Sequence, residues 1–278
     1  MDATEPELRL FVLHHAGGSH VPYRHWPALL PGQWDVRLLD APGRGRLGHL
    51  PQLDHAGRLA DFFLRRLHGE LQAPYAFFGH SMGALVAYEM TLQLAARGQE
   101  LPVWLGLSAR GAPHPDHTNN NKNNNKNSDT DNGTDNGTGG GEQRHKLSDA
   151  ALQTHLELLG GTPDEVFDNP DLWALYDPLI RGDLRLVETW RPQAGTPPLP
   201  VPLSVFAGSE DTSVPARQLA GWERHTERFL GLRVLDGGHF YFQDDPVPLL
   251  ARIRQDVATA LTPAPAPAAG AGRGGGPR

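Results

Sequence analysis

Short apolar runs alternate with longer amphipathic stretches along most of the chain, and glycine, proline or aspartate bounds the runs. Short bounded apolar runs are typical of buried parallel strands. The strands predicted in this way are Leu8–Leu13, Val36–Leu39, Tyr75–Gly79, Val103–Ser108, Leu203–Ala207 and Leu232–Leu235. The helix-like stretches are Tyr23–Leu30, His55–Leu71, Ala84–Arg97, Ala216–Phe229 and Val247–Leu261, with Gly98 where a helix would end. This alternation predicts a doubly wound, mostly parallel α/β sheet with its active site at the carboxyl ends of the strands.

The alternation stops between residues 142 and 195, where helix-like pieces such as Ser148–Leu159 and Asp171–Trp190 follow one another without a strand. We expect this segment to be a helical lid inserted between two parts of the core, residues 1–117 and 196–261. Extra packing helices without a gating role are the alternative interpretation.

Two further segments have compositions that favour disorder. Residues 118–141 contain no apolar side chain, so they cannot bury surface to offset the entropy of ordering. Residues 262–278 are a string of mostly proline, alanine and glycine. We expect neither segment to carry the chemistry.

Composition narrows the possible functions. The 278 residues are 38% hydrophobic and 21% charged, enough for one sizeable core, and the net charge of −7 argues against nucleic acid as a partner. With no cysteine, the chain has no disulfide, thiolate metal site or cysteine nucleophile. The N-terminus does not resemble a signal peptide and no apolar run is long enough to span a membrane. A cytoplasmic protein without membrane contact is therefore expected.

The strongest chemical signal is Gly79-His80-Ser81-Met82-Gly83, a G-x-S-x-G pattern between a predicted strand and a predicted helix. That context is what a nucleophile elbow requires. The turn from strand to helix is sharp, and side chains larger than hydrogen at Gly79 and Gly83 would collide with it. The pattern predicts Ser81 as a nucleophile at a helix N-terminus. An ordinary glycine-rich turn is the alternative.

A serine nucleophile needs a base, and in this fold class the acid and then the histidine follow it along the chain. His239 follows the last predicted strand after two glycines, so it is the best placed of the 14 histidines. Asp211 follows the preceding predicted strand and would hold the imidazole. Glu210 is its neighbouring competitor.

The oxyanion hole of such a site needs two backbone N–H donors. Met82 follows the nucleophile, and the second donor should come from the loop after the first strand, with Ala16 first and Gly17 next. A phosphate loop is the alternative for this segment, but it lacks the Lys-Ser/Thr ending. No carboxylate or thiolate set with ligand spacing accompanies its two histidines, so no metal is expected.

These residues lie in a wider set of motifs that resembles the type II thioesterases, the stand-alone editing hydrolases of polyketide and nonribosomal peptide synthesis. The matching segments are His15-Ala-Gly-Gly, Asp40-Ala-Pro-Gly-Arg-Gly, Phe78-Gly-His-Ser-Met-Gly-Ala-Leu-Val-Ala-Tyr-Glu, Ser108-Ala-Arg-Gly-Ala-Pro-His, Leu147-Ser-Asp-Ala-Ala-Leu, Leu158-Leu-Gly-Gly-Thr-Pro, Leu184-Arg-Leu-Val-Glu-Thr-Trp and Gly237-Gly-His-Phe-Tyr-Phe. The resemblance covers about residues 8–258, apart from the asparagine-rich insertion. The acid loop departs from the family in reading Glu-Asp-Thr where Asp-Pro is commoner.

The resemblance implies an α/β-hydrolase fold with a helical lid, and a substrate acyl group on the phosphopantetheine arm of an acyl or peptidyl carrier protein. No cofactor of the enzyme itself is implied, and we expect a monomer. The family's triad falls on Ser81, Asp211 and His239, and its oxyanion donors fall on Met82 and Ala16. Candidates for lining the substrate channel are the lid residues Leu172, Leu175, Tyr176, Leu179 and Leu186; a place in the helix core is the alternative for them.

Other activities fit the same residues. A small carboxylester hydrolase or an acyltransferase would use the same fold and triad. A product-releasing thioesterase domain and a noncatalytic binding module are further alternatives. The intact serine, aspartate and histidine set argues against the binding module, and the few residues before the first strand favour a free-standing enzyme.

Overall fold

The computed structural model describes residues 5–72, 74–113, 143–193 and 195–262, and within them a six-stranded sheet forms the centre. The strands are β1 (Leu8–Leu13), β2 (Trp34–Leu39), β3 (Tyr75–His80), β4 (Trp104–Ser108), β5 (Leu203–Gly208) and β6 (Phe229–Leu235). The helices are α1 (Trp26–Leu29), α2 (Ala56–Arg66), α3 (Met82–Ala96), α4 (Asp149–Leu159), α5 (Asp164–Asp168), α6 (Pro170–Thr189), α7 (Ala216–Ala220) and α8 (Val247–Leu261). The strand order is β2-β1-β3-β4-β5-β6 and every neighbouring pair is parallel, so all carboxyl ends meet at one edge.

Helices cover both faces of the sheet, as its continuous apolar strands require. Alternate residues of β1 separate the two cores: Phe11 and Leu13 pack on the side of α2 and α3, whereas Leu10 and Val12 pack on the side of α1 and α8. The doubly wound α/β architecture predicted from the sequence is confirmed.

Strand β1 and helix α8 match their predicted bounds residue for residue, whereas the other predicted elements are present with bounds that differ by a few residues. Gly98 follows α3 with a φ of +61°, the left-handed conformation of a residue just past a helix end. The helix predicted over Ala216–Phe229 is wrong in its second half. After α7 and a 3₁₀ turn over Gly221–His225, the chain hydrogen-bonds to Leu199, which ends the helix and leads into β6.

Between β4 and β5 the described residues form the helices α4, α5 and α6, which pack on one another through a small core of their own. Its buried members are Leu152, Leu156, Trp173, Ile180 and Leu184. The partly buried Ala16, from the loop after β1, packs against this core, so the helices lie over the carboxyl end of that strand. Residues 118–141 lie outside the described part of the chain, as do residues 263–278 of the tail.

None of the helices in the described ranges is both long and apolar enough to cross a membrane.

Candidate active site

Ser81 lies in the sharp turn between β3 and α3, at the centre of the sheet's carboxyl edge. Its backbone has a φ of 54° and a ψ of −110°, a strained conformation for a residue with a side chain. The Ser81 N–H donates to the carbonyl of Ser108 at the end of β4, at 2.8 Å, which helps to hold that conformation. This is the elbow geometry that the G-x-S-x-G pattern predicts.

The two glycines of the pattern permit backbone contacts that no side chain would allow. A Cβ at Gly79 would lie 2.1 Å from the carbonyl oxygen of Gly83. A Cβ at Gly83 would lie 2.3 Å from the carbonyl oxygen of Leu13, at the end of β1. The glycines therefore let the first turn of α3 lie directly against β3 and against the loop after β1.

His239 and Asp211 meet at the ends of β6 and β5. The His239 Nδ1 lies 2.8 Å from the Asp211 carboxylate, and both side chains are buried. Because a carboxylate only accepts, Nδ1 carries the proton and Nε2 presents its lone pair. Glu210 is exposed and contributes its backbone N–H to the carbonyl of Gly237, so Asp211 is the carboxylate that holds the histidine.

Ser213 is a third member of this arrangement, and sequence reasoning missed it. Both its hydroxyl and its N–H donate to the second carboxylate oxygen of Asp211, and the hydroxyl lies 3.1 Å from His239 Nδ1. Burial alone would raise the pKa of Asp211, but the hydrogen bonds from His239 and Ser213 lower it below its ordinary value. The carboxylate is therefore ionised at neutral pH. The Asp-x-Ser spacing of a local turn was the available signal.

A cavity of about 50 Å³ joins these elements, and both Ser81 and His239 line it. The helices between β4 and β5 contribute an apolar part of the wall: Leu156, Leu159, Ile180, Leu184 and Val187. Polar side chains, among them Arg110, Arg144 and His155, line it as well. The cavity is therefore small, and the elbow serine and His239 share its wall with apolar and basic side chains.

None of the five channel candidates lines this cavity. Leu172 and Leu175 are 41% and 72% exposed, and Leu186 is fully buried in the main core. Tyr176 packs in the core of the inserted helices, and Leu179 lies beside Gly43. The side of α6 that faces the cavity carries Ile180, Leu184 and Val187, which are spaced four and three residues apart, as on one helical face.

The loop after β1 closes the other side of the cavity. Ala16 lines the cavity, and Met82 begins the 15-residue helix α3, so both proposed N–H donors lie beside Ser81. His14 ties the loop to the chain after β2: its Nε2 accepts from the Ala41 N–H, and its Nδ1 donates to the His15 carbonyl. Burial, aided by the charge of Arg44, lowers the pKa of His14 to about 4, so this link is neutral.

His80, between Gly79 and the nucleophile, points away from the cavity into a buried cluster. Its Nδ1 lies 2.8 Å from the Ser108 hydroxyl, which in turn lies 2.7 Å from the hydroxyl of Tyr241. Its ring centre is 5.0 Å from that of His239. Burial lowers the pKa of His80 well below its ordinary value, so a neutral imidazole packs beneath the base.

No group of three or more histidine, aspartate or glutamate side chains in the described ranges has the arrangement of a metal site.

The parallel sheet, the elbow serine and the histidine–aspartate pair after the last two strands define an α/β-hydrolase fold. The thioesterase domain family matches residues 8–257, and the chain belongs to that family. Thioesterase PikA5 of Streptomyces venezuelae is 30% identical, over 87% of this chain and 78% of its own. The type II thioesterase BorB, from the borrelidin biosynthetic cluster, is 32% identical with a TM-score of 0.73, over 92% of this chain and 95% of its own. A protein of Brevibacillus parabrevis named linear gramicidin dehydrogenase LgrE is 30% identical, over 92% of this chain and 90% of its own.

The last relative is named as a dehydrogenase, a class of enzyme that binds dinucleotides. This chain contains Gly43-Arg-Gly-Arg-Leu-Gly48, which matches the G-x-G-x-x-G pattern of dinucleotide-binding proteins. Such a fingerprint opens a helix, whereas Gly45–Leu47 is a 3₁₀ turn and the next α-helix begins at Ala56. The carboxylate of Asp40 accepts from the N–H groups of Arg46 and His20 at 2.9 and 2.8 Å. The turn thus binds the chain's own carboxylate, and the pattern does not indicate a dinucleotide site.

Proposed function

We propose that this thioesterase hydrolyses acyl groups from the phosphopantetheine arm of carrier proteins, as a stand-alone editing enzyme of polyketide or nonribosomal peptide synthesis. The observation that carries the proposal is the buried Asp211–His239 pair, whose histidine lines the same small cavity as the elbow residue Ser81. The similarity to BorB, a type II thioesterase of a biosynthetic cluster, supports the carrier-bound substrate.

In the first step His239 Nε2 takes the Ser81 proton, and Ser81 Oγ attacks the thioester carbonyl to form a tetrahedral intermediate. The N–H groups of Met82 and Ala16 donate to its oxyanion. The carbon–sulfur bond then breaks, and the leaving thiolate takes the proton from the imidazolium. In the second step His239 takes a proton from water, the resulting hydroxide attacks the acyl-enzyme, and the proton returns to Ser81 Oγ as the acid leaves.

Asp211 assists both steps without changing its own protonation. Its lowered pKa keeps it ionised, so it holds His239 in the tautomer that can accept a proton and stabilises the imidazolium that forms. In this scheme the only prosthetic group is the phosphopantetheine of the carrier, which arrives with the substrate. We further propose that the enzyme is a cytoplasmic monomer. Its partners are the carrier domains of a synthase.

The test is intact-protein mass spectrometry of acyl-loaded carrier proteins incubated with the wild type and with Ser81→Ala. Acetyl and propionyl groups are compared with longer acyl groups and with the matching simple esters. Thr259→Ala is the matched control, because it removes an exposed hydroxyl from α8, a helix of the core. We expect the wild type and the control to remove the acyl mass at equal rates and Ser81→Ala to leave it in place.

Other outcomes identify the alternatives. Rapid cleavage of the esters beside an untouched carrier would replace the proposal with a small carboxylester hydrolase. Transfer of the acyl mass to an added amine, alcohol or thiol in preference to water would indicate an acyltransferase. Undiminished activity of Ser81→Ala would contradict the assigned nucleophile.

A further inference from the structure

A buried carboxylate on α6 reaches out of its own helix to the loop that follows β1. Asp183 is 1% exposed, and its Oδ2 accepts a hydrogen bond from the Gly17 N–H at 2.7 Å. Gly17 directly follows Ala16, the residue that we assign as an oxyanion donor. The peptide group between Ala16 and Gly17 is therefore held by a helix residue that lies 166 positions further along the chain.

The Asp183 carboxylate is itself held from the core by two side chains. Arg44, from the turn after β2, forms a bidentate ion pair with it, in which Nη2 donates to Oδ1 at 2.9 Å. Gln52 donates its amide to Asp183 Oδ1 at 3.1 Å and to the α6 carbonyl of Leu179 at 2.7 Å. Because Arg44 is also buried, this pair has little solvent screening and a fixed geometry.

Two other side chains of α6 also pack closely on the loop. A Cβ at Gly17, whose φ is +72°, would lie 2.1 Å from the Tyr176 hydroxyl and 2.9 Å from Ile180 Cδ1. Ile180 is also part of the cavity wall. One face of α6 thus touches the loop and the acyl cavity together.

We propose that Asp183 is a positioning residue through which α6 sets the oxyanion hole of the thioesterase. It acts on the reaction through Gly17 and Ala16 and does not touch the substrate. The inference rests on the proposed function, since it assumes that the Ala16 N–H stabilises an oxyanion. With the Asp183 hydrogen bond in place, the loop presents that N–H to the oxyanion. Without it, the loop relaxes while the acyl cavity and the Asp211–His239 pair stay in place.

The experiment compares the wild type with Asp183→Ala, which removes the acceptor, in the hydrolysis of propionyl-N-acetylcysteamine, a simple thioester that needs no carrier. A misplacement of about 1 Å near a reacting centre costs up to about 100-fold, so we expect kcat to fall by about 10- to 100-fold and KM to change by less than about twofold. A propyl trifluoromethyl ketone, which adds to Ser81 to form an oxyanion, should lose affinity by the same factor as kcat. A saturated thioether of the same length, which forms none, should bind both proteins equally.

Loss of one member of a buried ion pair destabilises a protein. A second variant is therefore included in which no unpaired charge stays buried. Arg44→Met with Asp183→Leu replaces the pair by apolar side chains, which proteins often tolerate, and still removes the acceptor for the Gly17 N–H. Asp177→Asn is the matched control, because Asp177 lies on the same helix and pairs with Arg181 at 2.6 Å. It should keep the kinetics of the wild type.

Wild-type kcat in the folded double variant, or a rise in KM alone, would overturn the proposal and leave the pair a purely structural role. A fall in kcat without an equal loss of affinity for the trifluoromethyl ketone would also overturn the proposal. Failure of the proposed function is distinguishable, because it would appear as untouched acyl carriers beside turnover of the simple thioester.

Discussion

The close approach of α3 to the end of β1 makes Gly83→Ala a sharp test of the elbow geometry. Alanine is favoured over glycine in a helix interior by about 1 kcal/mol, so helix propensity alone predicts a more stable protein. The structure predicts the opposite, because the new Cβ would lie 2.3 Å from the Leu13 carbonyl oxygen and 2.7 Å from that of His14. Both obstacles are backbone atoms, which cannot rotate away as a side chain does.

The size of the effect follows from the overlap. Real Cβ atoms essentially never approach other heavy atoms closer than 3.0 Å, so the two backbones must separate by at least 3.0 − 2.3 = 0.7 Å. Overpacking of this kind costs about 1–3 kcal/mol, and we expect about 1–2 kcal/mol of net destabilisation after the gain in helix propensity. The same shift separates the Met82 and Ala16 N–H groups, so kcat should fall by about 10- to 100-fold.

Urea denaturation gives the free energy of unfolding, and turnover of propionyl-N-acetylcysteamine gives kcat. Gly69→Ala is the matched control, because a Cβ there has no neighbour within 4 Å. It should leave kcat unchanged. A Gly83→Ala protein that is as stable and as active as the wild type would refute the reasoning, since the elbow would then have room for a methyl group.

Three further predictions concern the acid and the buried histidine. Asp211→Asn should lower kcat by about 10⁴-fold by fixing the wrong tautomer of the base, whereas Glu210→Gln should stay within about twofold; equal losses in steady-state assays would contradict the assignment. Ser213→Ala should lower kcat by about 3- to 10-fold, the value of one hydrogen bond, and an unchanged kcat would exclude a role for its hydroxyl. Burial lowers the pKa of His14 from 6.5 to about 4, so below pH 6.5 the unfolded chain binds a proton that the folded chain does not. The free energy of unfolding should therefore fall between pH 6.5 and 4, by up to about 3 kcal/mol from this group, and urea denaturation of His14→Gln should show a shallower fall. Equal slopes for the two proteins would contradict it.

Two kinds of information predicted part of the site from the sequence: a local residue pattern, and the rule that sites in parallel α/β sheets lie at the carboxyl ends of the strands. The elbow needs only its glycines and its flanking elements, so Ser81 was found from a five-residue pattern. Asp211 and His239 follow consecutive strands of a parallel sheet, and such strands deliver their next residues to one edge. The order of the strands therefore predicts that the two residues lie close together, whereas the choice of Asp211 over Glu210 needed the observed contact at 2.8 Å.

The cavity wall could not be predicted because α6 has apolar residues on more than one side. Leu186 packs into the main core, Trp173 into the core of the inserted helices, and Ile180 beside the nucleophile. Apolar spacing identifies such a helix as buried but does not say which neighbour each face meets. The residues of α6 that were expected to line a channel are therefore not the ones that line this cavity.

The Asp183 contacts also could not be predicted from the sequence. They link two roles of α6, which lines the acyl cavity and holds the loop after β1. No local pattern indicates a hydrogen bond across 166 residues, or an ion pair with Arg44 across 139. Yet the helix that carries Asp183 also supplies Ile180 and Leu184 to the acyl cavity. We therefore expect a displacement of α6 that enlarges the cavity to weaken the hydrogen bond between Asp183 and the Gly17 N–H. If Asp183 positions the oxyanion hole as proposed, an acyl group too large for the cavity should be hydrolysed slowly even when it is bound, and a series of acyl lengths should then differ in kcat as well as in KM.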